Sequence, residues 1–182
     1  GAIILETLEQ AQDRNAPIYA EVLGFATARE GADLVRCDLS GSDMARVMEA
    51  ALYHASLPKE LIDYINAHGV GLPDYDIAET SAIKSVFGDK AYNMAVSSIK
   101  SMIGQPFAAG GALQIVSSCL TLQHGVIPPT INYDTPDPDC DLDYVPNQAR
   151  KARVRTLLVH AHGTGGTDSA LVLGKLDCRR ER

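Results

Sequence analysis

The tightest constraint in this sequence is a pair of apolar, β-branched runs, Val154-Arg-Thr-Leu-Leu-Val-His-Ala and Ser169-Ala-Leu-Val-Leu-Gly, joined by His162-Gly163-Thr164-Gly165-Gly166-Thr167. The runs read as two strands, and the glycines between them permit backbone angles closed to other residues. Upstream, strand patterns alternate with helical ones. Leu5 to Arg14 has helical composition and stops before Pro17, and Ile18 to Thr27 carries strand content. Ser40-Gly-Ser-Asp precedes Met44, Val47, Met48, Ala51 and Leu52, whose spacing of three and four predicts a helix with one apolar face. Ile62-Asp-Tyr-Ile-Asn-Ala predicts a short strand emptying into the loop His68-Gly69-Val70-Gly71-Leu72-Pro73, a place where side chains are presented. Asp76, with Glu79 three residues on, resembles a capping box opening a helix that runs to Phe87. Ala95-Val-Ser-Ser predicts a brief strand, and Ala108 to about His124 a helix so apolar that it belongs inside the protein. The alternation predicts an α/β layer structure with a mixed sheet.

At 182 residues and 46% apolar content, one domain with a real core is expected. The net charge of −7, with Lys and Arg scattered, offers no positive surface for nucleic acid or an anionic membrane. The apolar stretches fall far short of the roughly 18 residues of a membrane span, and the N-terminus lacks a secretion signal, so a cytoplasmic protein is expected. Cys37, Cys119, Cys140 and Cys178 are widely spaced without a metal-ligand pattern, and no metal is expected. Cys119 sits in an apolar run and reads as a small core residue. Gly1-Ala-Ile-Ile-Leu has strand pattern without a polar lead-in and reads as an element cut in the middle, and the four-proline stretch Ile127 to Asp141 as an extended connector.

Taken in order, Asn66-Ala-His68-Gly, Asp76-x-Ala-Glu79, Val96-Ser-Ser-x-Lys100-Ser-Met-x-Gly104, Ile127-Pro-Pro-Thr-Ile-Asn, Cys140-Asp-Leu-Asp-Tyr-Val-Pro-Asn and Gly163-x-Gly-Gly-Thr resemble the β-ketoacyl synthase family, from Gly1 to about Leu173. Members of that family are about twice this length and consist of two similar halves. The resemblance implies that residues 1–182 are the C-terminal half of a thiolase-like fold, a mixed five-stranded sheet with helices on both faces. The N-terminal half, which carries the nucleophilic cysteine in the family, would be a separate or missing partner.

The same resemblance assigns the candidate site. His68 stands at the family's first catalytic histidine, and Lys100 and Glu79 match a buried lysine and its acidic companion, expected as an ion pair. Gln105 replaces the second histidine, and its amide cannot carry a proton. Val70 and Leu72 replace two threonines that hold the phosphopantetheine arm, and Thr164 replaces a gating phenylalanine in His160-Ala-His162-Gly-Thr164-Gly-Gly, where the family usually shows Asn-Ser-Phe-Gly-Phe-Gly-Gly. Three departures in one site imply a non-catalytic, chain-length-factor-like subunit of a type II polyketide synthase. Its expected partners are a catalytic ketosynthase and an acyl carrier protein, with no cofactor bound beyond the phosphopantetheine that carries the substrate. The competing expectation is an active β-ketoacyl-[acyl-carrier-protein] synthase, with its cysteine in the other half. A thiolase fits less well, since its C-terminal cysteine motif is not recognisable around Gly163.

Overall fold

A computed structural model of the chain describes residues 1–29, 37–163, 165–176 and 178. The elements run α1 (Leu8–Asp13), β1 (Glu21–Arg29), α2 (Ser42–Ala55), β2 (Tyr64–Asn66), α3 (Pro73–Phe87), β3 (Ala95–Ser97), α4 (Lys100–Ile103), α5 (Gly110–His124), β4 (Val126–Ile127), β5 (Arg150–Lys151), β6 (Thr156–Gly163) and β7 (Thr167–Gly174). Five strands form one sheet in the order β1-β7-β6-β2-β3, and β4 and β5 make a separate two-stranded ribbon. The sheet is mixed: β2 pairs in parallel with β3 and β6, while β6, β7 and β1 pair antiparallel. Both the fold class and the strand count expected from the sequence are present.

Alternation within the strands explains why helices lie on both faces, since successive side chains of a strand point to opposite sides. Ile65, Val96, Leu158 and Val172 face a core completed by Met44, Val47, Met48 and Ala51 of α2 and Ala82, Ile83 and Val86 of α3. Tyr64, Leu157, Val159 and Leu173 face the opposite core, closed by Leu122 of α5 together with Ile127, Val145 and Val154. The central strand β6 is apolar from Leu157 to Val159, as strands buried on both faces are, before it reaches His160 and His162. The edge strand β3 is covered by the proline-rich connector: Val96 N donates to Asp143 O at 2.8 Å, and Ala95 bridges Asp143 in parallel. That contact satisfies backbone groups which an open edge would leave exposed.

Two local expectations fail, and a third is met in part. Gly1 to Leu5 forms no strand and is exposed, because nothing among the described residues pairs with it. The helix expected to open at Asp76 instead begins at Pro73, whose missing N–H costs nothing in a first turn, and Leu72 is its cap residue. The capping-box carboxylates are used elsewhere, as described below. Finally, α5 turns a polar stripe toward the sheet, burying Gln114, Ser118, Thr121 and Leu122, and leaves Val116 and Leu120 exposed. Cys119 is half-buried on its flank, and burial pushes its thiol up.

Gly24 sits at a bulge in β1, where the register slips between Val22 and Gly24. A Cβ there would lie 2.3 Å from Ala51 O and 2.4 Å from Ala55 N, so the α2 backbone rests directly on the glycine. Gly24→Ala is expected to destabilise the protein by about 2–3 kcal/mol through this overpacking, read as a lowered midpoint in denaturant unfolding with an unchanged slope.

Candidate active site

The site is built at the C-terminal end of β2, where the chain turns sharply through His68 and Gly69. Gly69 has φ +41°, and a Cβ on it would meet Ser98 Cβ at 2.5 Å, so both the backbone angle and the crowding require glycine. Every polar backbone group of the turn finds a partner. His68 N donates to Glu79 Oε1 at 2.7 Å and Gly69 N to Oε2 at 2.8 Å, while Lys100 Nζ donates to His68 O at 2.6 Å and Ser98 Oγ to Gly69 O at 2.9 Å. Asp76 extends the pattern by accepting from Val70 N at 3.1 Å and from Gly71 N. Thus the two α3 carboxylates reach back to hold the loop before the helix, and this role replaces the capping box.

His68 is fixed through its ring as well. His162 N donates to His68 Nδ1 at 3.2 Å, and a backbone N–H can only donate, so Nδ1 carries the lone pair and Nε2 carries the proton. Burial pushes the ring down to about 4, with Lys100 and His160 acting in the same sense and Glu79 opposing. His68 is consequently a neutral imidazole that offers one N–H.

Behind it, β6 and β7 bury a chain of charge. His160 Nδ1 meets Glu79 Oε1 at 2.6 Å, and its Nε2 lies 3.4 Å from Asp168 Oδ1, an ion contact without hydrogen-bond geometry. His162 Nδ1 meets the same Asp168 oxygen at 2.8 Å, and Tyr75 packs edge-on against the His162 ring at 5.0 Å between centroids. Burial opposes a charge on His160, yet the Asp168 and Glu79 carboxylates carry it up to about 9. Burial likewise pushes against Glu79 ionising, but the hydrogen bond and charge of His160 hold it well below the usual carboxylate range. Asp76 goes the other way: burial and the neighbouring Glu79 push it up to about 6.

The expected Lys100–Glu79 ion pair is not a direct contact. Lys100 spends its ammonium on the His68 carbonyl, and Glu79 takes its partners from the turn and from His160. The two still feel each other's charge, since burial lowers the Lys100 ammonium while Glu79 and Asp76 oppose that shift. Gln105 is exposed just beyond α4, Val70 is half-buried, Leu72 is exposed, and Thr164 lies outside the described residues. A cavity of about 550 Å³ is lined by Val70, Glu79, Lys100 and Gln105, with Asp76 and Tyr133.

Sequence reasoning missed His160, His162 and Asp168 as a unit, and with them Gln114, whose side-chain amide donates to Ala67 O at 2.8 Å and His160 O at 2.9 Å. A signal existed. Two histidines at i and i+2 on a strand share a face, and in the β6–β7 hairpin Asp168 stands directly opposite His162.

Residues 19–134 match the β-ketoacyl synthase C-terminal domain. The chain is 44% identical over 174 residues to 3-oxoacyl-[acyl-carrier-protein] synthase 2 of Coxiella burnetii, covering 96% of this chain and 42% of that protein. It is 48% identical to the tetracenomycin polyketide synthase ketoacyl synthase alpha subunit of Streptomyces glaucescens, over 94% of this chain and 40% of that one. The chain belongs to the β-ketoacyl synthase family. Among solved structures, a type II polyketide synthase acyl carrier protein in complex with its ketosynthase bound to the hexaketide superposes with TM-score 0.93 at 40% identity, covering 94% of this chain and 42% of its counterpart. The ishigamide ketosynthase/chain length factor gives 0.89 at 39% identity, over 93% and 41%. The chain spans about two fifths of the length of these β-ketoacyl synthase relatives. No described helix is long and apolar enough to cross a membrane.

The raised His160 has a consequence for stability. Its folded value, about 9, lies above the ordinary value of 6.5, so its contribution is complete below pH 6.5 and is lost as pH rises through 9. The loss is on the order of 3 kcal/mol. A melting temperature that falls across this window, and falls much less in His160→Asn, is the expected result of thermal unfolding at stepped pH.

Proposed function

We propose that this chain is the C-terminal half of a non-condensing, chain-length-factor-like subunit that pairs with a catalytic ketosynthase in a type II polyketide synthase. The observation that carries the reading is Gln105. The synthase chemistry decarboxylates a malonyl thioester and gathers the enolate oxygen between positioned donors, and an amide can donate a hydrogen bond but cannot shuttle a proton. Val70 and Leu72 add to it: two aliphatic side chains on the loop leave a phosphopantetheine arm without the hydroxyls that would hold it. On this reading the subunit binds no cofactor of its own and works beside an acyl carrier protein in the cytoplasm. Its first half supplies the remaining site residues and covers the apolar α5 face at Val116 and Leu120.

A second reading, an active condensing synthase, is favoured by one specific feature. His68 is held neutral with Nε2 protonated, which is the form an oxyanion donor needs. The curated relatives quoted above also bear the names of synthases. The residue at the nucleophile position of the first half separates the two: an inert side chain supports the accessory role, and a cysteine supports condensation.

In a reconstituted pair, His68→Ala in this subunit is expected to lower polyketide output by less than about tenfold, whereas removing the matching histidine of the catalytic partner costs about 10²–10⁴-fold. Equal, severe losses in the two subunits would overturn the accessory reading.

A further inference from the structure

The contacts around His68 close on themselves. Starting from its backbone, His68 N reaches Glu79, Glu79 reaches His160 Nδ1, His160 Nε2 faces Asp168, Asp168 holds His162 Nδ1, and His162 N returns to His68 Nδ1. Three of the five groups come from one hairpin: β6 supplies His160 and His162, and β7 supplies Asp168. His160 and Asp168 are fully buried, and Asp168 Oδ2 has no hydrogen-bond partner among the described residues.

We infer that His160 and Asp168 form a charge-compensating positioning pair, with His160 as a buried imidazolium between two carboxylates, and that this pair holds His68 in place and in its Nε2–H form. The first argument is geometric. His160 lies between two carboxylates, with Nδ1 hydrogen-bonded to Glu79 at 2.6 Å and Nε2 in an ion contact 3.4 Å from Asp168, and a cationic ring is attracted to both. The second is one of charge balance. Glu79 and Asp168 are both buried ionised groups, and Lys100, the other cation nearby, is engaged with the His68 carbonyl. Leaving either carboxylate without a compensating cation would be strongly unfavourable. The third concerns transmission: Glu79 grips the His68 backbone, and the strand that carries His160 and His162 also provides the N–H that sets the tautomer. An asparagine at position 160 would be neutral there and would leave both carboxylates uncompensated. The charge is therefore a property of this chain's own His160 and Asp168.

The groups facing His68 are Glu79 from α3, Lys100 from α4, and His160 and His162 from β6. Those facing His160 are Glu79, Asp168 and His68. Removing the cation at 160 takes away a repulsion felt by His68, so the His68 titration should rise from about 4. Removing the anion at 168 takes away support for His160, so the His160 titration should fall from about 9. Removing both leaves the net charge of the buried pair unchanged.

The test reads the imidazole nitrogens by ¹⁵N NMR as a function of pH, in the full-length protein that includes the first half, for His160→Asn, Asp168→Asn and the double variant. Turnover is not the readout, so the result is independent of whether the subunit condenses. In the unaltered protein, His68 shows Nε2 protonated and Nδ1 free, and His160 shows both nitrogens protonated at neutral pH. His160→Asn is expected to raise the His68 midpoint and Asp168→Asn to lower that of His160. The double variant, which removes both charges of the pair, is expected to be more stable than either single variant. If the single variants fail to fold and the double variant folds, the same pairing is read out as stability. A His160 with only one protonated nitrogen, single variants that leave His68 unmoved, or equal failure of all three to fold would overturn the inference, because shape would then be holding the site and charge would not.

Discussion

The carboxylate of Glu79 is the contact on which the site depends. It receives two backbone N–H groups from the His68–Gly69 turn and a ring nitrogen from His160, so one buried anion ties together the end of β2, helix α3 and the central strand β6. An anion at that depth would be expelled in favour of its protonated form were it not so thoroughly hydrogen-bonded. Because the groups it binds come from separate elements, its position is fixed only when all of them are present. His68 inherits that precision: its amide is held on one side, its carbonyl by Lys100 on the other, and its ring by the His162 amide.

Much of the scaffold was legible from the residue pattern. The apolar, β-branched content of β6, the three-and-four spacing of α2 and the prolines of the connector each declare their structure through local physics, and the structure places them as read. The motifs singled out His68 and Glu79, and the structure brings the two together. What local pattern could not give was which partner each charged group would choose. Lys100 and Glu79 suggest an ion pair by type alone, but a lysine stem long enough to reach a carbonyl and a glutamate aimed at two amides satisfy more groups apart than together. Asp76 and Glu79 look like a helix cap because the cap and the loop clamp use the same residues at the same spacing. Leu72 and Pro73 decide between them by starting the helix three residues earlier.

The buried face of α5 carries the same lesson for packing. Its apolar composition suggested an interior helix, yet the side pressed against the sheet bears Gln114, Ser118 and Thr121, and Gln114 serves carbonyls from β2's end and β6 at once. Asn66 answers it by donating to Gln114 O at 3.1 Å and Ser118 Oγ at 3.0 Å. A polar seam of this kind fixes the rotation and height of the helix more sharply than interchangeable methyl groups would, at the cost of requiring each partner to be satisfied.

Strand order has a further consequence in time. The central strand β6 pairs in parallel with β2, which precedes it by some ninety residues of chain, and β7 then links it to β1 near the start. As the polypeptide emerges from the ribosome, β2, α3 and α4 are complete while the sheet still lacks its middle, and Glu79 has neither His160 nor the low-dielectric surroundings that make their contact strong. The hairpin that supplies His160, His162 and Asp168 is also the piece that closes the sheet. The hairpin that completes the sheet therefore also delivers the groups that compensate Glu79.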